Sequence, residues 1–108
     1  MVRWELLENK YIFINSFIDE KNVTITIKDN AGGIPETVLP RIFDAYYTTK
    51  HKTQGTGLGL YMTYNFISVE MSGEIIAAND KFTYKDTTYS GALFTITLPF
   101  VNKRNNLS

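Results

Sequence analysis

From Val23 to Lys28 apolar and polar residues alternate strictly, with Val23, Ile25 and Ile27 on one face and Thr24, Thr26 and Lys28 on the other. This predicts a half-buried strand over Asn22 to Asp29. Tyr11 to Ile18 reads as its antiparallel partner across the charged turn Asp19-Glu20-Lys21. Glu36 to Tyr46 has helical character but is interrupted by Pro40, which predicts two short helical pieces. Leu58 to Met71 has the length of a full helix and should end at Ser72-Gly73 in a glycine cap. Two more strands are expected at Glu74 to Asn79 and Ala92 to Pro99, separated by a polar loop through Lys81-Phe82-Thr83-Tyr84-Lys85. In the last strand Phe94, Ile96 and Leu98 alternate against Leu93, Thr95 and Thr97. This order of elements predicts an α/β (α+β) two-layer sandwich, with a mixed, mainly antiparallel sheet carrying helices on one face.

The long helix has two apolar stripes. Leu60, Tyr64, Ile67 and Met71 form one and Leu58, Met62, Phe66 and Val69 the other, with Thr63 and Glu70 between them. One stripe can cover the sheet. The second either meets the short helices after Pro35 or seeks a partner, and a homodimer is one way to supply it.

Composition narrows the class. With 108 residues, 44% of them hydrophobic, the chain can bury one modest core, so a single domain over 1–108 is expected. Zero net charge without blocks of like charge argues against a nucleic-acid surface. There are no cysteines, hence no disulfide and no thiolate metal site. The longest apolar run is far too short to span a membrane, and the N-terminus lacks a signal-peptide core, so a cytoplasmic location without membrane contact by this segment is expected.

Two features carry chemistry. Gly55-Thr56-Gly57-Leu58-Gly59-Leu60 places alternate glycines at the start of the long helix. There the backbone can turn freely, and unpaired amides at the positive end of the helix dipole can meet a phosphate. A tight loop before a helix needs glycine for steric reasons as well. The second feature is Asp29, which continues the apolar parity of its strand and precedes Asn30-Ala31-Gly32-Gly33-Ile34-Pro35. A carboxylate on a core-facing position needs donors. It either caps the turn, as aspartate often does, or accepts from an amino group such as the exocyclic amine of adenine.

With Arg41-Ile42-Phe43-Asp44-Ala45-Tyr46-Tyr47-Thr48-Thr49-Lys50 between these segments, the chain resembles the ATP-binding domain of bacterial sensor histidine kinases, within the superfamily of gyrase, mismatch-repair and heat-shock chaperone ATPases. Asp29 to Pro35 matches the first glycine box, Arg41 to Lys50 the phenylalanine box and Gly55 to Leu60 the second glycine box. The resemblance runs from about Ile12 to Phe100. Phe43, Tyr46-Tyr47 and Thr48-Thr49-Lys50 point to the histidine-kinase branch over an anti-sigma-factor serine kinase. Ala31 stands where the family often has glycine. The asparagine box, which bears metal ligands on a helix before the first strand, has no counterpart: Glu5, Glu8 and Asn9 lie immediately before a strand.

The resemblance implies that Asp29 accepts from the adenine amine and Gly33 lets the base lie against the backbone. Ile34, Phe43 and Leu60 are apolar contacts to the base or plain core. Gly55, Gly57 and Gly59, with the amides of Thr56, Leu58 and Leu60, hold phosphates. Lys50 and Lys52 flank a lid over Thr48 to Thr56, and Lys52 reads better as a solvated lysine. Thr95 is a candidate for a water network around Asp29 or simply a strand former. His51, the only histidine, lies in that lid and not in a phospho-acceptor helix. No catalytic or metal-binding residue is assigned within the chain. Implied in the intact protein are ATP or ADP, magnesium, an upstream dimerisation domain bearing the acceptor histidine, and a response regulator. In isolation the segment is expected to be inactive, and the alternative from another class is an interaction module with a vestigial pocket.

Overall fold

The computed structural model describes residues 8–47 and 58–100. Four strands, β1 (Ile12–Ile18), β2 (Asn22–Asp29), β3 (Glu74–Tyr84) and β4 (Thr87–Pro99), form one sheet in the order β1-β2-β4-β3. Every pairing is antiparallel, so the mixed component expected from sequence is absent among the described residues. The first two strands match the alternation almost residue for residue. Between them Asp19 Oδ1 accepts from the N–H groups of Lys21 and Asn22, both at 2.7 Å, and Asp19 N–H donates to Asn22 O at 3.0 Å.

The hairpin of β3 and β4 is longer than its sequence suggested. Lys81 to Lys85 is not a polar loop: β3 runs through Tyr84 and turns at Lys85-Asp86. Both turn residues sit at positive φ (51° and 65°), as a two-residue turn matched to the sheet twist requires. Packing of rings overrides the polar residues here. Phe82 and Tyr89 face each other across the hairpin (centroids 5.9 Å apart), and Tyr11, Phe13 and Tyr84 join the cluster through edge-on contacts at 4.9–5.8 Å, with Tyr11 and Phe13 tilted against each other at 5.7 Å. Lys28 lies over the Phe82 ring at 4.1 Å and pairs with Asp80 at 3.5 Å.

On the other sheet face the register aligns Ile14 with Ile27, Ile27 with Phe94, and Phe94 with Ala77. The covering layer is incomplete. Helix α1 (Gly59–Asn65) continues as a π-helical turn over Phe66–Glu70, where Met71 N–H reaches Phe66 O at 3.0 Å. Within it Thr63 and Ser68 donate their hydroxyls to the carbonyls four residues back, a habit that strains regular helix. The helix ends at Ser72, which takes the left-handed conformation (φ 54°) in place of the expected glycine. Gly73 serves packing instead, because a Cβ there would lie 2.6 Å from Thr97 O. Pro40 permits only a 3₁₀ turn at Leu39–Arg41, followed by irregular turns to Tyr46, rather than two helical pieces.

Among the described residues the buried apolar ones are Ile42, Ile67, Ile75 and Ala92, so the core lies over β3 and β4. Each of the three isoleucine side chains contributes roughly 1.5–3 kcal/mol when fully buried. Over β1 the same face is bare: Ile12, Ile14 and Ile18 are 64, 68 and 73% exposed. Met62, Phe66 and Val69 of the second helical stripe are exposed too, so the turns after Pro35 do not cover them.

Candidate nucleotide-binding cleft

Strand β2 delivers Asp29 to the mouth of a cleft of about 470 Å³ between the sheet end and the 31–42 segment. Asp29, Gly33, Ile34, Pro35, Val38, Ile42, Leu60, Ala92 and Phe94 line it. One carboxylate oxygen is committed. Asp29 Oδ1 accepts from the N–H of Ala31 at 3.0 Å and of Ala92 at 3.2 Å. Asp29 Oδ2 receives no hydrogen bond from the described residues. The two readings of Asp29 thus divide between its oxygens: one caps the turn, and the other remains to accept a donor from the cleft.

The loop after Asp29 has no regular structure, yet polar side chains hold it on both sides. Asn30 is 1% exposed; its Oδ1 accepts from Tyr11 N–H and its Nδ2 donates to Asn9 O, both at 2.9 Å. Gly32 and Gly33 take positive φ (97° and 89°), open to glycine and costly to other residues. Gly32 N–H donates to Ser90 O at 2.9 Å. Asn79 of β3 meets Ile34 twice: Ile34 N–H donates to Oδ1 at 2.6 Å, and Nδ2 donates to Ile34 O at 2.7 Å. At Gly91 the strands are nearly in contact, since a Cβ there would fall on the Asp29 carbonyl oxygen.

Of the candidates from sequence, Asp29, Gly33, Ile34 and Leu60 come together in the cleft. Phe43 does not reach it. Its ring stacks on Tyr64 at 5.3 Å and meets Phe94 edge-on at 6.4 Å, so it backs the Phe94 wall from behind. Thr95 is on the wrong side of the sheet. Ala92 and Phe94 face the cleft, and strand alternation turns Thr95, opposite Thr26 and Ile76, to the other face, which rules out its place around Asp29. Leu58 immediately precedes α1, its carbonyl accepting from Met62 N–H at 2.8 Å. A Cβ on Gly59 would meet nothing within 4 Å among the described residues, so its glycine is not explained by crowding there. Lys50, His51, Lys52, Gly55, Thr56 and Gly57 lie outside the described residues.

Sequence reasoning missed Asn30, Asn79, Gly91 and Ala92. Gly91 carried a signal, because an isolated glycine in a strand pattern marks a close backbone approach. The asparagines carried none, as their partners are 19 to 45 residues away. Among the described residues no three His, Cys, Asp or Glu side chains converge to hold a metal ion.

Residues 6–102 match the family model for histidine kinase-, DNA gyrase B- and HSP90-like ATPases. The two-component sensor PprA of Pseudomonas aeruginosa is 39% identical over 77 residues, 71% of this chain and 7% of that protein. Sporulation kinase A of Bacillus subtilis is 55% identical over 49 residues, 45% of this chain and 8% of the kinase. Among solved structures, the catalytic domain of the histidine kinase ThkA superposes with a TM-score of 0.65 at 32% identity, covering 85% of this chain and 54% of that domain. The chain therefore spans a small part of its curated relatives and about half of a solved catalytic domain. Its antiparallel sheet, its Asp29 cleft and the match over 6–102 make the chain a member of the histidine kinase-, DNA gyrase B- and HSP90-like ATPase family.

Proposed function

We propose that this chain is the C-terminal portion of the ATP-binding catalytic domain of a two-component sensor histidine kinase, and that the cleft holds the adenine of ATP or ADP. The observation that carries this is the division of labour at Asp29: Oδ1 is fixed by two backbone amides, and Oδ2 is left as an acceptor in a cleft walled by Ile34, Leu60 and Phe94. The adenine amine supplies the matching donor, and the apolar walls suit the flat faces of the base. The space left at Gly59 by the described residues is compatible with a phosphate at the start of α1, where Gly55, Gly57 and the amides of Thr56, Leu58 and Leu60 would complete the contact. Lys50 would offset phosphate charge.

In the intact protein the γ-phosphoryl group passes to a histidine on a separate dimerisation domain and then to a response regulator. A protein contributes to such transfer mainly by positioning and charge stabilisation. Magnesium, expected with ATP, would draw its protein ligands from outside the described residues. Among the described residues no helix lies over Ile12, Ile14 and Ile18, which stay exposed. Such a chain is expected to act in the cytoplasm and to be inactive alone: incubation with radiolabelled ATP and magnesium should leave it unlabelled, His51 included.

Calorimetric titration with ADP tests the base site. A dissociation constant near the millimolar range, roughly −4 kcal/mol, is expected for this half-walled cleft. Asp29→Asn should weaken it further, because an amide nitrogen would then oppose the adenine amine. Equal ADP affinity in variant and parent would remove Asp29 from the base site. The bare apolar face favours a second reading, self-association, in which another copy covers Ile12, Ile14 and Ile18 beside Met62, Phe66 and Val69. Light scattering at tens of micromolar, the scale of moderate affinities, should show a dimer that Phe66→Glu dissociates; a monomeric parent would exclude it.

A further inference from the structure

Asn79, Ala92 and Asp29 stand on one row across three neighbouring strands, with Asn79 opposite Ala92 in register and Ala92 N–H bonded to Asp29 Oδ1. Strand spacing puts the two outer residues about 10 Å apart, on either side of the cleft floor. From its end of the row Asn79 reaches the loop wall. Its amide pairs with both backbone groups of Ile34, at 2.6 and 2.7 Å, replacing the rung that a further strand would supply. A side chain must carry a donor and an acceptor in one plane to do this, and at this reach asparagine alone qualifies. Gly33 fits the same contact: a Cβ there would approach Asn79 Oδ1 to 2.9 Å. Asn79 is itself exposed, so its two bonds add little to the burial that holds the sheet.

We propose that Asn79 is a positioning residue that sets the base selectivity of the cleft, by holding the Gly33-Ile34 wall at a fixed distance from Asp29; this rests on the adenine-nucleotide reading above. With the wall fixed, a purine presents its 6-position to the free oxygen of Asp29. Adenine offers an amine there and is accepted. Guanine offers a carbonyl oxygen, and two acceptors oppose each other. With the wall released, the purine can slide until the ring N–H and 2-amine of guanine face Asp29, so guanine gains where adenine loses.

The test compares ADP and GDP binding to the full chain by chemical-shift titration, in the parent and in Asn79→Asp, which keeps the shape but replaces the donor with an acceptor. The parent is expected to prefer ADP. In Asn79→Asp that preference should fall about tenfold, the size of one modest contact, while amide exchange at Ile34 accelerates and the sheet spectrum is unchanged. Asn79→Ala should behave alike, and carries the test if the aspartate variant does not fold. A parent preference retained within about twofold, despite faster exchange at Ile34, overturns the selectivity role and leaves the cleft assignment standing. A parent that binds neither nucleotide overturns both.

Discussion

Strand β2 ends in an aspartate interaction at both extremities, and the two ends use the same contact for different purposes. At the far end Asp19 Oδ1 accepts two amides, of Lys21 and Asn22, from within three residues of itself. At the cleft end Asp29 Oδ1 also accepts two amides, but one belongs to Ala92, 63 residues away. Asp19 closes a turn on the exposed surface. Asp29 closes a turn, ties β2 to β4, and lines the cleft with its second oxygen unbonded among the described residues. What separates a turn residue from a candidate binding residue is therefore the tertiary surroundings, chiefly the close approach at Gly91 and the clamps at Asn30 and Asn79. Regular structure is no guide to which end matters. The irregular loop from Asn30 to Ile34 is held by side chains on both flanks, whereas the regular strand β1 shows its apolar face to water.

The sharpest way to break the cleft end is Gly91→Ala. A methyl group there would overlap the Asp29 carbonyl, and relief requires β2 and β4 to separate where Asp29 is bonded to Ala92. The expected cost is about 4 kcal/mol or more, in the exceptional range for a single substitution. Urea denaturation should find the variant largely unfolded; a parent-like midpoint would mean the strands part without penalty. Asn30→Ala should come next, at about 2–4 kcal/mol, because it strands Tyr11 N–H and Asn9 C=O in a part-buried site. A loss below about 1 kcal/mol would show that water replaces the amide there.

Legibility in the sequence follows the same division between local and distant causes. Strands β1 and β2 were readable because alternation is a local pattern, and Asp29 stood out because it continued that pattern with the wrong chemistry. Gly32 and Gly33 were readable as turn glycines, and both sit at positive φ. Where distant rings decided the outcome, the reading failed: Phe82, Tyr84 and Tyr89 convert an apparent loop at Lys81 to Lys85 into strand. Of the two readings of Thr95 the strand former stands, because the alternation with Phe94 and Ile96 turns it to the face opposite the cleft. Asn79 and Asn30 have no sequence signature, as each works by meeting backbone brought to it by the fold.

Gly73→Ala probes the far end by the same means as Gly91→Ala does the near one. The added methyl would sit 2.6 Å from Thr97 O and 2.8 Å from a Leu98 side-chain carbon. One of these neighbours is movable, and the glycine lies at a helix exit rather than between two strands. The expected loss is about 1–3 kcal/mol, clearly below that of Gly91→Ala. Thermal unfolding of the two variants side by side checks the order, and an inverted order would place the tightest contact of the fold away from the cleft.

The smallest effect is expected at Asp19. Hydrogen bonds from the backbone N–H of Lys21, and then of Asn22, hold its carboxyl below the ordinary 3.8. A carboxyl depressed in the folded state contributes its stability in full above the unfolded value, and that contribution is lost as the pH falls through the folded one. Stability owed to Asp19 should thus be constant near neutrality and disappear only in acid, below 3.8. Asp19→Asn keeps an oxygen for both amides and removes the charge, so its melting temperature should stay close to the parent's at pH 7 and fall less steeply below pH 3.8. Melting curves from pH 7 downward measure this directly. Parallel curves for variant and parent would mean that the charge of Asp19 contributes nothing to the turn, and that its two amide contacts act as neutral hydrogen bonds alone.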